Sequence, residues 1–343
     1  MNNKDLSDDL EQGLLVVAGA GFDALPAIVR SGGESGAKRF VEFFAVNIRN
    51  KNTRRAYVRA VMQFFCWCEE RGVHDLKRIE PMLIAAYIEK RTGEREPQTV
   101  KQELAAVRML FDWLVVGQVV PTNPASSVRG PKYSYSKGKT PVLTREDAKK
   151  LLASIPLERE DTRTKELVPD LLGYRDRAVI GLMIYSFARV GAVMKMQVKD
   201  YYPNGKTWWV RLHEKGGKFH EVPVHHSAEE YLDAYLKAAG IEDAVKTPLF
   251  RSALARTGRL TENGLTERDV LRTIKKRAMV AGIRVPGICC HTWRATGITA
   301  YLQNGGTIEN AQRIAAHESP RTTRLYDRRN DDISLDEIER IVL

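Results

Sequence analysis

The side chains that could carry chemistry in this chain lie mainly towards its C-terminus. The candidate set contains Arg189, Lys215, His291, Arg294, His317 and Tyr326. Transfer of a phosphodiester needs a nucleophile, positive charge at the non-bridging oxygens and a proton for the departing alkoxide. These residue types can meet all three needs. The sequence therefore predicts attack of a phenol on a phosphodiester.

Each side chain of the set suits one part of this reaction. Tyr326 can form a phosphotyrosine, which keeps the bond energy so that no ATP is needed. Arg189 and Arg294 carry guanidinium groups that pair with phosphate oxygens and stay charged. His317 would donate a further hydrogen bond to the same phosphate. A free phenol has a pKa of about 10, so it attacks poorly at neutral pH, and cationic surroundings are needed to lower that pKa.

Order and spacing distinguish this set from a chance collection, because each motif alone is common. His291 and Arg294 are three residues apart, which places them on one face of a helix, and His317 precedes Tyr326 by nine residues. In this order the six residues resemble the catalytic set of the tyrosine recombinases, the family of Cre, Xer and lambda integrase. The resemblance covers residues 36–343.

The resemblance implies a site-specific DNA recombinase that works through a 3′-phosphotyrosine and a Holliday junction at paired inverted-repeat sites. In the family, the lysine of a hairpin turn protonates the 5′ oxygen and the first histidine helps to deprotonate the tyrosine. By motif, these roles fall on Lys215 and His291. Lys218 lies on the same turn, so the sequence leaves open which lysine reaches the leaving group.

The chain departs from the family pattern at two places. The position three residues after Arg189 is often acidic in the family, and here it is Ala192. This leaves the support of the Arg189 side chain unexplained. Ala315-Ala316 stands before His317, where the family often has Leu-Gly or Gly-Gly, and we expect that change to be tolerated.

The charge balance indicates a polyanionic partner. The chain has 54 lysine and arginine residues against 43 aspartate and glutamate residues, a net charge of +11. Residues 1–35 contain two basic and six acidic residues, so the basic excess lies in the rest of the chain. We expect an acidic leader without ordered structure over residues 1–35, followed by a clamp on double-stranded DNA.

Residues 36–129 have the pattern of four or five helices and are interpreted as a core-binding, DNA-binding domain. Apolar residues recur at helical spacing from Tyr57 to Cys68. Another helix is expected to begin at Thr99, where Gln102 would complete a capping box. The basic residues opposite the apolar stripe are candidate DNA contacts: Lys51, Arg54, Arg55 and Arg59.

Residues 130–141 combine proline, glycine, serine and lysine without hydrophobic periodicity, which predicts a basic interdomain linker. Candidate DNA contacts here are Lys132, Lys137 and Lys139, together with Lys218 of the hairpin turn. A basic linker can follow a DNA backbone while two domains grip opposite faces of the duplex. We therefore expect a C-shaped clamp.

Residues 142–343 predict a mixed α/β catalytic domain, so the fold class is mainly α with a small β-hairpin or sheet. Thr144 and Asp147 are expected to cap its first helix. Apolar segments on both sides of Gly216-Gly217 predict the hairpin. Tyr326 is expected at or just past a short helix that begins near Pro320.

The final residues, 333–343, predict a tail helix. Ser334 and Glu337 form a capping box, and an apolar stripe follows. One interpretation is packing on its own domain. The family resemblance implies instead that the helix docks into a neighbouring protomer of a homotetramer on two DNA sites.

The sequence predicts no cofactor and no metal site. It contains no P-loop, and the pairs Cys66/Cys68 and Cys289/Cys290 lack the C-x-x-C spacing of zinc sites. The segment Gly13–Ala27 is interrupted by Asp23 and follows acidic residues, so we expect neither a signal peptide nor a membrane span. We expect a cytoplasmic, nucleoid-associated prokaryotic protein.

Two other functions remain open at this point. A type IB topoisomerase uses related residues and only relaxes supercoils. A DNA-binding regulator that has lost catalysis would have no need of Tyr326. For a recombinase, an accessory DNA-bending protein is a further candidate partner.

Overall fold

The computed structural model describes residues 25–132, 138–161, 163–214, 217–254 and 257–328. The chain divides into two compact units, Met1–Ser134 and Tyr135–Leu343. Several sequence predictions fall outside the described residues. They concern leader residues 1–24, Lys137, Lys215 and the tail helix 333–343.

The first unit is helical. Its elements are α1 (Ala27–Arg30), α2 (Gly33–Glu42), a π-helical turn (Phe43–Asn47), α3 (Lys51–Glu69), a 3-10 turn (Leu76–Arg78), α4 (Pro81–Glu94) and α5 (Pro97–Val116). Helix α3 begins after Asn50, whose side chain accepts hydrogen bonds from the backbone N–H groups of Asn52 and Thr53. The apolar stripe predicted for α3 is buried in the core of this unit, with Phe64 and Phe65 at its centre.

The expected leader of residues 1–35 is too long. Leu25, Ile28 and Val29 are buried in the same helical core. The backbone N–H of Ile28 donates to the Glu69 side chain at 3.0 Å, which ties α1 to α3. Residues 25–35 therefore belong to the helical unit, because a short apolar run there packs inward despite the acidic residues before it.

The second unit is mixed α/β and mainly helical. Its helices are α6 (Arg145–Ala153), α7 (Leu171–Tyr185), α8 (Val190–Val193), α9 (His226–Ala239), α10 (Glu267–Val280), α11 (Cys290–Gln303), α12 (Ile308–Ile314) and α13 (Pro320–Arg324). A 3-10 turn spans Val198–Asp200. Thr144 caps α6, since its hydroxyl accepts from the backbone N–H of Asp147 at 3.0 Å. The predicted cap is confirmed.

The strands of the second unit form small antiparallel sheets. Their bounds are β1 (Glu158–Glu160), β2 (Leu167–Pro169), β3 (Tyr201–Asn204), β4 (Thr207–His213), β5 (Phe219–Pro223), β6 (Arg251–Ala253) and β7 (Leu260–Gly264). The pairs are β1–β2 and β6–β7, and β4 lies between β3 and β5. The predicted hairpin is β4–β5, in register with Leu212 opposite His220. The strand β3 and the two-stranded sheets were not predicted, because their strands are short and only partly buried.

Helix α7 lies at the centre of the second unit and packs against α9 and α11. A buried carboxylate also links it to α10. Asp176 accepts from its neighbour Arg175 at 2.8 Å and from Arg277 at 2.7 Å. Within the described ranges, none of the helices combines the length and apolar character needed to cross a bilayer.

The contact between α7 and α11 depends on a glycine. A Cβ atom on Gly297 would lie 2.0 Å from the backbone oxygen of Ile184. That separation is far below any van der Waals contact, and the obstacle is backbone that cannot rotate away. Gly297 therefore sets the distance between the two helices that frame the site described below.

We predict that Gly297→Ala destabilises the second unit by about 1–3 kcal/mol, the range for overpacking a close-packed interior. Thermal denaturation of the whole chain, followed by circular dichroism, measures this. Gly93→Ala is the control, because no atom lies within 4 Å of a Cβ at that helical position. The control should be neutral or slightly stabilising. Equal melting temperatures for Gly297→Ala and wild type would contradict the prediction.

Candidate active site

Helix α11 brings His291 and Arg294 into the second unit on adjacent turns, as their spacing predicts. Arg294 is 2% exposed and lies in the interior. Its guanidinium donates to the backbone oxygens of Phe187 and Ala315, the second at 2.6 Å. Arg294 thus connects α11 to the loop after α7 and to the end of α12.

The two loops held by Arg294 have unusual backbone conformations. Phe187 has a φ of 53° and Ala316 a φ of 47°, both in the left-handed region that non-glycine residues rarely occupy. Arg189 follows the first of these turns and His317 follows the second. The conformation of Ala316 gives a physical reason for a glycine before the second histidine, and here alanine accepts the strain.

Arg189 precedes α8 and points a guanidinium towards β4. Its Nη1 atom donates to Oε2 of Glu214 at 2.8 Å. Glu214 was not predicted as a site residue. A signal was present in the sequence, since an arginine after an apolar helix needs an anionic partner and Ala192 cannot provide one.

His317 is buried between the arginines and the tyrosine. Its Nδ1 atom lies 2.9 Å from the Thr323 hydroxyl, and its ring stacks on Tyr326 with centroids 5.9 Å apart. Burial and the charges of Arg294 and Arg189 lower the pKa of His317 to about 3. The ring is therefore neutral at working pH. When Thr323 donates to Nδ1, the ring proton is on Nε2, where it can be donated to an anion.

His291 is exposed at the start of α11. Partial burial of the ring is the larger cause that lowers its pKa, and the charges of Arg294 and Arg189 lower the pKa further. A neutral imidazole with an accessible nitrogen can accept a proton. The site therefore holds two neutral histidines beside two arginines.

Tyr326 lies just past α13, as predicted. The Thr299 hydroxyl donates to the backbone oxygen of Tyr326 at 2.9 Å, and its ring packs against a small apolar cluster that includes Phe187. Burial and the charge of Arg189 lower the pKa of Arg294 to about 10, whereas interactions with Tyr326 and Glu214 act in the opposite direction. The phenol therefore lies within hydrogen-bonding reach of the Arg294 guanidinium.

The hairpin turn is described only in part, because Lys215 lies outside the described residues. Lys218 is exposed, and its backbone oxygen accepts from the N–H of Glu214 at 2.8 Å. The turn therefore begins directly beside the partner of Arg189. The choice between Lys215 and Lys218 as proton donor stays a prediction.

The candidate DNA contacts of the first unit differ in their surroundings. Lys51, Arg55 and Arg59 are exposed on α3. Arg54 instead donates to the backbone oxygen of Ile48 at 3.0 and 2.8 Å, so part of its guanidinium supports the start of the helix. In the linker, Lys132 and Lys139 are exposed.

Among the described residues, no group of three or more histidine, cysteine, aspartate or glutamate side chains is placed to hold a metal ion. Of the residues that the structure describes, Arg189 and Arg294 bring positive charge to the two histidines. The geometry supports a reaction in which an anion enters between these arginines, His317 and Tyr326.

Comparison with known proteins places this arrangement in a family. Residues 142–332 match the Phage integrase family, and residues 37–117 match the Phage integrase N-terminal SAM-like domain. The chain is 26% identical over 277 residues to the tyrosine recombinase XerD of Listeria innocua serovar 6a, covering 80% of this chain and 87% of that protein. The chain belongs to the Phage integrase family.

Solved structures agree on the fold. The XerH site-specific recombinase bound to palindromic difH substrate, a post-cleavage complex, matches with a TM-score of 0.68 at 16% identity, covering 92% of this chain and 95% of that one. A lambda integrase tetramer bound to a Holliday junction matches with a TM-score of 0.63 at 17% identity, covering 98% and 90%. The predicted two-domain tyrosine recombinase fold, mainly helical with small sheets, is confirmed.

The low pKa of His317 gives a prediction for stability. Its pKa in the folded chain, about 3, is below the value of about 6.5 in an unfolded chain. Protonation of His317 thus favours the unfolded chain. The stability that the neutral ring of His317 contributes is complete above about pH 6.5 and is lost as the pH falls towards 3. At pH 5 the loss from His317 should be about 2 kcal/mol. Urea unfolding at pH 7 and pH 5 measures this for wild type and His317→Asn, and the variant should lose less.

Histidine NMR provides the direct check. The Cε1–H signal that disappears in His317→Asn should not shift between pH 8 and pH 5 in the folded protein. In urea the same residue should titrate near pH 6.5. Titration near that value in the folded protein would contradict the prediction.

Proposed function

We propose that this chain is a site-specific DNA recombinase whose nucleophile is Tyr326. The tyrosine recombinases carry out DNA strand breakage and rejoining, and membership of the family supports the same activity here. The observation that carries the residue assignment is the position of Tyr326, stacked on His317 with ring centroids 5.9 Å apart and beside buried Arg294. A phenol in this setting is ready for attack on a phosphate held by the same groups.

In the first step, Tyr326 Oη forms a bond to phosphorus as the bond from phosphorus to the 5′ oxygen breaks. His291 takes the phenol proton, and Lys215 or Lys218 gives a proton to the departing oxygen. The products are a 3′-phosphotyrosine and a free 5′-hydroxyl. The P–O bond energy is retained in the covalent intermediate, so no nucleotide is consumed.

Charge on the reacting phosphate is stabilised by Arg189, Arg294 and His317. Donors fixed before the reaction cost no reorganisation in the transition state. Rejoining reverses the same steps, with the 5′-hydroxyl of another strand attacking the phosphotyrosine. One pair of exchanges creates a Holliday junction, and a second pair resolves it.

The alternatives are less well supported. A type IB topoisomerase would only relax supercoils, whereas the curated relative is a recombinase. A regulator without catalysis would gain nothing from a phenol held beside Arg294 and His317. Both observations favour the recombinase.

Partners follow from the same proposal. We expect a homotetramer on two inverted-repeat sites in double-stranded DNA. A structural neighbour that is a tetramer on a Holliday junction supports this assembly. The tail 333–343 as intersubunit link, an accessory DNA-bending protein and a location at the cytoplasmic nucleoid of a prokaryote remain hypotheses.

We predict that Tyr326→Phe abolishes the covalent protein–DNA adduct on a nicked suicide substrate and leaves site binding unchanged. Binding uses many phosphate contacts, and this change removes one hydroxyl. Denaturing gel electrophoresis detects the adduct. Tyr301→Phe is the control, because Tyr301 packs in the same apolar cluster and has no proposed role in the reaction. With the wild-type protein, the adduct should form in excess EDTA and without added nucleotide. An adduct with Tyr326→Phe would exclude Tyr326 as the nucleophile.

A second prediction separates the two lysines of the hairpin turn. Lys215→Ala should slow cleavage at least ~100-fold, the lower range for loss of a general acid. Replacing the bridging 5′ oxygen by sulfur should restore the rate, because a thiolate leaves without a proton. Lys218→Ala should behave like wild type on both substrates. If sulfur rescues Lys218→Ala instead, the proton donor is Lys218.

A further inference from the structure

The ion pair of Arg189 and Glu214 has an uneven exposure. The two side chains meet at 2.8 Å, yet the Glu214 side chain is 10% exposed and that of Arg189 is 39% exposed. The carboxylate is therefore largely shielded from water, while the guanidinium keeps an accessible part. An anion from solvent can reach the arginine but has little access to the glutamate.

Stability is a poor explanation for this pair. Removing a carboxylate from water is costly, and a single ion pair returns little of that cost. Such a pair can be retained because it fixes one geometry rather than because it adds stability. The position of Glu214 beside an arginine of the active site is consistent with such a role.

Electrostatics indicate what the carboxylate does. Arg189 and Arg294 are close enough for Arg189 to lower the pKa of Arg294, and Glu214 acts in the opposite direction. Two like charges repel each other across the site before any phosphate is present. Glu214 offsets this repulsion and gives the more exposed arginine a fixed direction.

The sequence around Arg189 provides no other acidic support at the position where tyrosine recombinases often carry it. That position is Ala192, which is buried in the hydrophobic core of the second unit. Glu214 comes instead from the end of β4, a different element. Its backbone N–H also donates to Lys218 at 2.8 Å, which closes the base of the hairpin turn.

We propose that Glu214 is a positioning residue for recombination: its ion pair holds the Arg189 guanidinium so that its remaining N–H groups meet the scissile phosphate. The inference rests on the proposed function. A guanidinium has five N–H donors in a planar fork, so a contact through Nη1 leaves another edge for the phosphate. Glu214 itself touches no DNA and acts through Arg189.

Glu214→Gln tests this, because the amide keeps the size of the side chain and removes its charge. The variant should form the covalent adduct about tenfold more slowly at saturating protein, the scale for losing a charged hydrogen bond. Affinity for a single half-site, measured by gel shift, should stay within about twofold, because Glu214 makes no DNA contact. Faster adduct formation would show that the carboxylate restrains the enzyme, and would overturn the proposal.

The matched control is Glu221→Gln. Glu221 lies on the same hairpin and forms an ion pair with Arg211 at 2.8 Å, but both side chains are about 40% exposed. The control removes the same charge from the same sheet. Its adduct rate should equal that of wild type, so an equal loss in both variants would assign the effect to hairpin stability or net charge.

A double-mutant cycle shows whether Glu214 acts through Arg189. In an Arg189→Ala background, Glu214→Gln should cause less than about a twofold further loss of rate. An undiminished tenfold loss there would overturn the proposal. Glu214→Asp keeps the charge and should therefore retain part of the rate that Glu214→Gln loses. A wild-type protein that forms no adduct would contradict the proposed function, whereas an active wild type with a normal Glu214→Gln rate contradicts only this inference.

Discussion

One buried guanidinium determines the geometry of the candidate active site. Arg294 donates to the backbone oxygens of Phe187 and Ala315, and the turns at Phe187 and Ala316 adopt left-handed conformations. Such conformations cost of order 1 kcal/mol or more for residues other than glycine and persist only where the surroundings fix them. Arg189 follows the turn at Phe187, and His317 follows the turn at Ala316. An alanine at position 294 would therefore release two loops as well as remove the proposed phosphate contact, and its rate loss would contain both effects.

The same arrangement explains the electrostatics of the site. Burial together with the charges of Arg189 and Arg294 keeps His317 and His291 neutral. Protonation of either ring would add a third cation to the site before any phosphate is present. A bound phosphodiester, which carries one negative charge, would offset part of this positive charge, so the proton affinities of the histidines should rise when DNA enters. A neutral His291 ring keeps a nitrogen that can accept a proton, and a neutral His317 ring keeps one N–H to donate in a hydrogen bond.

The sequence predicted the elements whose patterns are local. The spacing of His291 and Arg294, the cap at Thr144 and the hairpin around Gly216-Gly217 depend on neighbouring residues, and the structure has each of them. Helix α5 shows the limit of this reasoning. Its capping box was placed at Thr99, but the helix begins at Pro97, where a missing N–H costs nothing. The contact of Arg189 with Glu214 joins residues 25 positions apart, and no periodicity reports a pairing of that kind.

The placement of the nucleophile also depends on contacts between distant residues. The Thr299 hydroxyl of α11 holds the backbone oxygen of Tyr326, and the N–H of Gly138 donates to the neighbouring Leu325 oxygen at 3.1 Å. A Cβ at position 138 would lie 2.9 Å from that oxygen, so the close approach requires glycine there. Gly138 belongs to the stretch predicted as a basic linker. The hydrogen bond of Gly138 therefore fixes the end of this stretch to the segment that carries the phenol.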